Sequence, residues 1–335
     1  MDNLEARLQA YLQKKMPENK ALSISDFNRV PYGGSKETYL FHLQWLEARG
    51  KKSGNYALRY EAPDNILEVG VGKEANVFQN LTPTDIPVPA FFWAESDAEV
   101  LGRPFMVVEQ VSGDVTSFGK LVGGDDAGLR TARAEAAVSL ISKVHSLNWE
   151  EQDFSFLGLP RSRTSFAEDQ LKLWKSLYDQ SKLEPAPIIA DAFEWLKRNI
   201  PETTKLTLVH GDLKTDNFMY NDGAVRALLD WEMAEIGDPL SDLAWFCMKP
   251  WEVDGLSGGM IKQDDLIAGW QQKTGFDVDK DAYLFWQVFS CFKLLAIHSR
   301  MSHSLVTGAN TAIMRVVGSY LNPSIYKEIC KLLNY

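Results

Sequence analysis

The sequence predicts an α+β chain with two lobes, a small antiparallel sheet first and a larger, mainly helical part after it. Three observations carry this expectation. Strand-like runs separated by turn residues recur through residues 22–111, with a helical pattern among them at 71–81. Beyond residue 127, apolar residues mostly repeat at helical spacing. Within residues 206–245, two short apolar runs each end on an aspartate, Asp212 and Asp230. The boundary is expected at Ser112-Gly113-Asp114, giving lobes at 1–111 and 112–335.

Residues 3–15 place Leu4, Leu8, Tyr11 and Leu12 on one helical face, able to dock on the sheet, and Pro17 ends the pattern. A strand at 39–43 follows the turn Pro31-Tyr32-Gly33-Gly34-Ser35. Glycines between strands let backbone N–H groups approach phosphates, so Gly33, Gly34 and Ser35 are candidates for a phosphate loop. In the next strand, 56–60, alternation puts Ala57 and Arg59 on one face and Leu58 on the other. Residues 71–81 put Val71, Glu74, Ala75 and Phe78 on one helical face. A glutamate there is costly unless paired, which makes Glu74 the expected partner of Arg59, with Glu68 the second choice. Residues 86–89, Ile-Pro-Val-Pro, lead into another strand, and 102–111 form the next.

In the second lobe a helix is expected over 127–147, with His145 near its end a satisfied structural residue. Ser165 and Glu168 have capping-box spacing at the start of a further helix, and 188–199 form another, stopped by Pro201. Asp238 and Pro239 read as N-cap and first helical position. From 264 onward the chain is helical, with Phe285, Val288, Phe289, Phe292 and Leu295 as core. His298 and His303, five apart, suit no shared metal.

The chemistry is concentrated at 206–245. Asn217 follows Asp212 by five positions, and Asp230 ends the next β-like run beyond the turn Asn221-Asp222-Gly223. That order matches the catalytic loop and metal-binding aspartate of protein kinases. Phosphoryl transfer from ATP is mostly positioning and charge neutralisation, so it needs hard oxygen ligands for Mg²⁺ and a carboxylate to align the attacking hydroxyl. Asp212 is the candidate base, Asn217 and Asp230 the metal ligands, and Lys214 a cation for the transferring phosphate. The segment Asp230-Trp231-Glu232 carries an indole and no glycine, so Asp230 is expected to point inward without nucleotide.

These pieces, with LLDWE and GDPLSDLAW downstream, resemble the aminoglycoside phosphotransferase and choline kinase family, nearest the kinase-like domains associated with acyl-CoA dehydrogenases. The resemblance runs nearly the full length. It implies a bilobal protein-kinase-like fold with ATP between the lobes, and transfer of the γ-phosphoryl group to a small-molecule hydroxyl. It places Arg59 at the cation position for the α- and β-phosphates and Glu109 to Val111 at the hinge, whose backbone would bond adenine. It also gives Asp242 the task of bracing the catalytic loop. One departure is Gly33-Gly34-Ser35-Lys36-Glu37-Thr38-Tyr39, shorter than the family's version and with Lys-Glu in its middle. Acceptors open to such relatives include aminoglycosides, choline-like amines, sugars, amino acids and hydroxyacyl thioesters. Glu232, Glu235, Trp245 and Trp251 form a candidate wall suited to a cation, whereas the likeness to dehydrogenase-linked kinases favours a thioester.

Composition narrows the class further. The 335 residues are 45% hydrophobic, enough for a substantial core, and the net charge of −10 argues against a general nucleic-acid binder. Three widely spaced cysteines form no disulfide framework or zinc site and suit a reducing cytoplasm. No signal-peptide block and no run of membrane-spanning length is present in the sequence, and it leaves the oligomeric state open. Two rival functions are weaker. A nucleotide-binding module without turnover predicts a damaged Asp-Asn-Asp set, which is complete here. A protein kinase needs an activation segment, and GDPLSDLAW begins within eight residues of Asp230.

Overall fold

Leu8, Tyr11 and Leu12 are buried on α1 (Leu4–Lys15), the face that the three-to-four spacing selects. The computed structural model describes residues 4–30, 36–63, 67, 69–115, 127–309 and 314–335. They form two compact units, Met1–Ser112 and Gly113–Tyr335.

In the first unit, α1 is followed by β1 (Lys20–Arg29), β2 (Lys36–Glu47) and β3 (Gly50–Glu61). Next come α2 (Val71–Leu81), β4 (Phe91–Glu95), α3 (Ala98–Leu101) and β5 (Phe105–Glu109). The five strands make one antiparallel sheet in the order β1-β2-β3-β5-β4. The pairing of β2 with β3 runs unbroken from Lys36↔Glu61 to Glu47↔Gly50, across the turn Ala48-Arg49. Alternation then sorts the side chains. Tyr39, Phe41 and Leu43 of β2, Tyr56, Leu58 and Tyr60 of β3, and Phe105 and Val107 of β5 pack with α1 in one apolar cluster. Burying Leu8 and Leu12 completely stabilises this unit by about 1.5–3 kcal/mol each. Ala57 and Arg59 are out of phase with that set and turn to the other face. There the carboxylate of Glu61, at the end of β3, caps α2 by accepting the Val71 N–H at 2.7 Å. That cap fixes where α2 starts and so where Glu74 lies.

The second unit contains β6 (Asp114–Val115), α4 (Ala127–Ser146), α5 (Ser165–Ser181), α6 (Pro187–Arg198) and β7 (Thr207–Val209). It continues with β8 (Phe218–Asn221), β9 (Ala224–Leu228), β10 (Glu235–Gly237) and α7 (Leu240–Phe246). The last elements are α8 (Gln263–Thr274), α9 (Lys280–Val306) and α10 (Met314–Leu332). Two small antiparallel sheets, β10-β7 and β6-β8-β9, stand among the helices. The β8–β9 hairpin turns at Asp222-Gly223, where Asp222 takes φ +52, a backbone region that aspartate tolerates better than most residues. The 27-residue α9 packs against α5, α6, α7 and α10, burying Phe285, Trp286, Val288, Phe289, Phe292 and Leu295. No helix among the described residues is long and apolar enough to cross a membrane.

One cap differs from expectation. Ser165 is the first residue of α5 rather than its cap, and its hydroxyl turns back to the Ser162 carbonyl at 3.0 Å instead of reaching forward to Glu168. The Ser162 backbone competes for that hydroxyl, so the capping box does not form.

Candidate active site

β7 is held by its pairing with β10 and releases His210, Gly211 and Asp212 at its end. Gly211 has φ +79, and a Cβ there would lie 2.2 Å from the Met233 carbonyl oxygen, so only glycine fits. The loop is pinned from beneath by Asp242 of α7. Its carboxylate accepts the His210 N–H at 2.7 Å and the Gly211 N–H at 2.8 Å. A third donor is His145 Nε2, at 3.2 Å, while His145 Nδ1 accepts from the Trp270 indole at 2.9 Å. His145 is therefore a neutral, fully engaged structural histidine. Burial raises the Asp242 pKa, but the His145 bond and the other donors outweigh it and hold the carboxyl below its ordinary value.

His210 ties this loop to the next one. Its Nε2–H donates to the Leu229 carbonyl at 2.8 Å, and its Nδ1 accepts the Asp212 N–H at 3.2 Å. Burial depresses its pKa, against the pull of Asp242, Asp212 and Asp230, and the ring is neutral. Asp230, the residue after Leu229, takes a left-handed backbone at φ 60, ψ 54. Trp231 is wholly buried, donates its indole N–H to the Leu228 carbonyl at 3.0 Å and packs on the His210 ring at 4.7 Å. This packing fixes the segment that carries Asp230.

The Asp212 carboxylate is held on both oxygens. Oδ2 accepts from Lys214 Nζ at 2.6 Å and from Asn217 Nδ2 at 3.1 Å, and Oδ1 accepts the Trp245 indole N–H at 3.0 Å. Asn217 Nδ2 also donates to the Asp212 carbonyl at 2.7 Å, which leaves Asn217 Oδ1 as the acceptor side of the amide. Burial lowers the Lys214 pKa, but Asp212, Asp230 and Asp216 more than offset it and the ammonium is firmly charged. The structure thus brings Asp212, Lys214 and Asn217 into contact, with the Asp230 charge acting on Lys214 and His210.

In the first unit, Glu74 is completely buried and takes two cations. Arg59 Nη2 lies 3.2 Å from Oε1, the pairing expected from the sequence, and Lys36 Nζ lies 3.1 Å from Oε2. Lys36 was not expected. Its position follows from register: Arg59 stands opposite Thr38, and Lys36, two residues before Thr38, shares that face. Glu37 points to the other face, where Arg29 and Arg103 each reach it at 3.0 Å. The unusual Lys-Glu pair is therefore two ion clusters on opposite sides of β2. Glu109 ends β5 with its N–H on the Ala90 carbonyl at 2.8 Å and its carboxylate on the Ala90 N–H at 3.2 Å, so its side chain is engaged within the sheet. Val111 follows in the irregular segment that ends this unit. Gly33, Gly34, Ser35 and Glu68 lie outside the described residues.

The suggested acceptor wall is altered by one residue. Lys293 of α9, 6% exposed, places its ammonium 4.5 Å from the Trp245 ring centroid and 5.3 Å from that of Trp174, and donates to the Gly211 carbonyl at 2.5 Å. Trp245 is thus no open wall: its N–H serves Asp212 and its face already holds a cation. Glu232 is buried, and Glu235 accepts from Gln170 at 2.5 Å.

The model of the phosphotransferase enzyme family matches residues 33–280 of this chain. Acyl-CoA dehydrogenase family member 11 of Rattus norvegicus is 28% identical over 324 residues, covering 91% of this chain, and the chain spans 40% of that relative's length. A provisional aminoglycoside phosphotransferase from Ralstonia eutropha JMP134 has a similar structure, at TM-score 0.75 and 22% identity over 98% of this chain and 97% of the other. A thermostable mutant of aminoglycoside phosphotransferase APH(4)-Ia, in a ternary complex with AMP-PNP and hygromycin B, is similar at TM-score 0.63 and 15% identity, covering 97% and 98%. These likenesses fix the fold as that of the aminoglycoside phosphotransferases, the kinase-like α+β fold expected from the sequence.

Two predictions follow from the geometry. Glu74→Gln removes the carboxylate that pairs with both Lys36 and Arg59, and should destabilise the first unit by about 3–5 kcal/mol in urea denaturation. A change below about 1 kcal/mol would mean that the pairing does not brace α2. For His210 the sign is fixed by its depressed pKa: the unfolded chain binds the proton first, so stability is full above the ordinary value of 6.5 and falls as pH drops below it. The melting temperature should decline from pH 6.5 downward, and His210→Gln should flatten that decline. An unchanged slope in the variant would assign the acid sensitivity elsewhere.

Proposed function

We propose, for a chain that belongs to the phosphotransferase enzyme family and is a kinase-type phosphotransferase, that it moves the γ-phosphoryl group of ATP, as its Mg²⁺ complex, to a hydroxyl of a small molecule. The observation that supports this best is the Asp212 carboxylate, held on one oxygen by Trp245 and on the other by Lys214 and Asn217. A carboxylate so fixed can align a hydroxyl and take its proton as the bond to phosphorus forms. Lys214 is the cation nearest that proton acceptor and would stabilise charge on the transferring group. In the first unit, Lys36 and Arg59 both reach the carboxylate of Glu74. Two cations on one face suit a triphosphate, and Arg59 adds planar donors that fork onto phosphate oxygens. The backbone at Glu109 to Val111 would take the adenine, and residues 112–335 would supply catalysis and the acceptor site.

The donor set also fits the metal. Among the described residues no group of three or more His, Cys, Asp or Glu could hold a metal ion. Mg²⁺ asks for less than that, because it takes one or two protein oxygens and completes its shell with phosphates and water. Asn217 Oδ1 and the Asp230 carboxylate would supply those oxygens. Bound there, the ion would neutralise charge on the phosphate chain. Cys247 and Cys291 are free and buried, which suits a cytoplasmic setting.

For the acceptor, Lys293 weighs against a cation at the Trp245 face. A cationic amine that sought the Trp245 face would meet an ammonium already there. Together with the dehydrogenase relatives, this favours a hydroxyacyl thioester over a choline-like amine or an aminoglycoside.

Asp212→Asn should leave ATP binding nearly intact and lower kcat by orders of magnitude, whereas Asp230→Ala should abolish the Mg²⁺-dependent part of ATP binding in calorimetry. Near-normal kcat in the first variant would remove the base assignment. ATP turnover measured against choline, an aminoglycoside and a 4-hydroxyacyl thioester should be confined to the thioester. Turnover with the amines alone would overturn the acceptor and leave the kinase standing.

A further inference from the structure

α9 is a core helix, and at position 293 it carries a lysine between the buried residues Phe292 and Leu294. An ammonium in such a place costs stability that an apolar side chain of the same length would not, so its retention calls for a physical reason. The contacts supply one. The ammonium donates to the Gly211 carbonyl at 2.5 Å and lies over the Trp245 ring at 4.5 Å, and the Trp245 indole N–H donates to Asp212 Oδ1 at 3.0 Å. Both arms therefore end on adjacent residues of the same loop, one on the backbone and one on the carboxylate.

Resting on the kinase reading above, we infer that Lys293 is a positioning residue. It clamps the Gly211 carbonyl and the Trp245 ring together, so that the indole holds Asp212 Oδ1 and leaves Oδ2 turned to the Lys214 and Asn217 side. Without the ammonium, Trp245 loses the cation on its face and Gly211 loses its donor, and the carboxylate can swing about its Cα–Cβ bond. Misplacement of that size is costly for a reaction whose catalysis is mainly alignment.

The charges that face Lys293 are Asp212 and Lys214 from the loop, Asp242 from α7 and Glu235 from β10. Burial pulls its pKa down to about 8, with the three carboxylates pulling back and Lys214 adding to the fall. The two consequences have opposite signs. Alignment requires the ammonium, so turnover should be full below about pH 8 and fall as pH rises through it. Stability should rise over the same range, because the folded protein sheds its proton before the unfolded chain does.

The test compares wild type with Lys293→Met. The variant should melt no lower than wild type at pH 7, keep its KM for ATP, and lose about tenfold to a hundredfold in kcat. Its kcat profile should lack the decline near pH 8. Intrinsic tryptophan fluorescence provides a readout that needs no turnover: wild type should show a step near pH 8, absent from Lys293→Met and from Trp245→Phe. A Lys293→Met enzyme with wild-type kcat and an unchanged alkaline limb would overturn the inference, as would a wild type without the fluorescence step. Absence of turnover by wild type with every acceptor, alongside an intact step, would instead remove the kinase reading, so the two failures are told apart.

Discussion

The buried Asp242 carboxylate accepts the N–H groups of His210 and Gly211, and the placement of Asp212 and its neighbours follows from those two bonds. A loop that leaves a three-residue strand has little of its own to hold it. Asp242 gives it an anchor inside the unit, while His145 and, through it, Trp270 keep the carboxylate supplied with donors. The anchored His210 then reaches Leu229 and so sets the distance between the loop of Asp212 and the segment of Asp230. A lysine or arginine would supply more charge here than histidine. Those side chains only donate, whereas the neutral ring donates to one loop and accepts from the other at once.

The two units use buried charge in contrasting ways. Around Glu74 two cations, Lys36 and Arg59, meet one buried carboxylate. Around Asp212 the cations Lys214 and Lys293 stand among the carboxylates Asp212, Asp242 and Glu235.

Much of this was legible in the sequence where the signal was local. The bounds of α2 fall at Val71 and Leu81 because its apolar residues keep a clean helical period, and the odd glutamate among them pointed to Arg59. The aspartates and asparagine of 206–245 are set by spacing within one loop and one hairpin. What escaped detection depends on contacts far along the chain. Lys36 beside a glycine turn looks like a solvated residue, and its partner is 38 positions away. Lys293 meets Gly211 across 82 residues, and a lysine within a helical pattern gives no sign that it faces inward. Trp245 was read as an open aromatic wall because sequence does not reveal where an indole N–H will find its acceptor.

The segment Asp230-Trp231-Glu232 also bears on how such an enzyme can be controlled. With the indole of Trp231 wholly enclosed, bonded to Leu228 and packed on His210, rotating Asp230 away would mean extracting an aromatic ring from the core. No glycine offers a cheaper pivot. A segment built this way has no alternative posture within easy reach, so any control must act elsewhere in the chain.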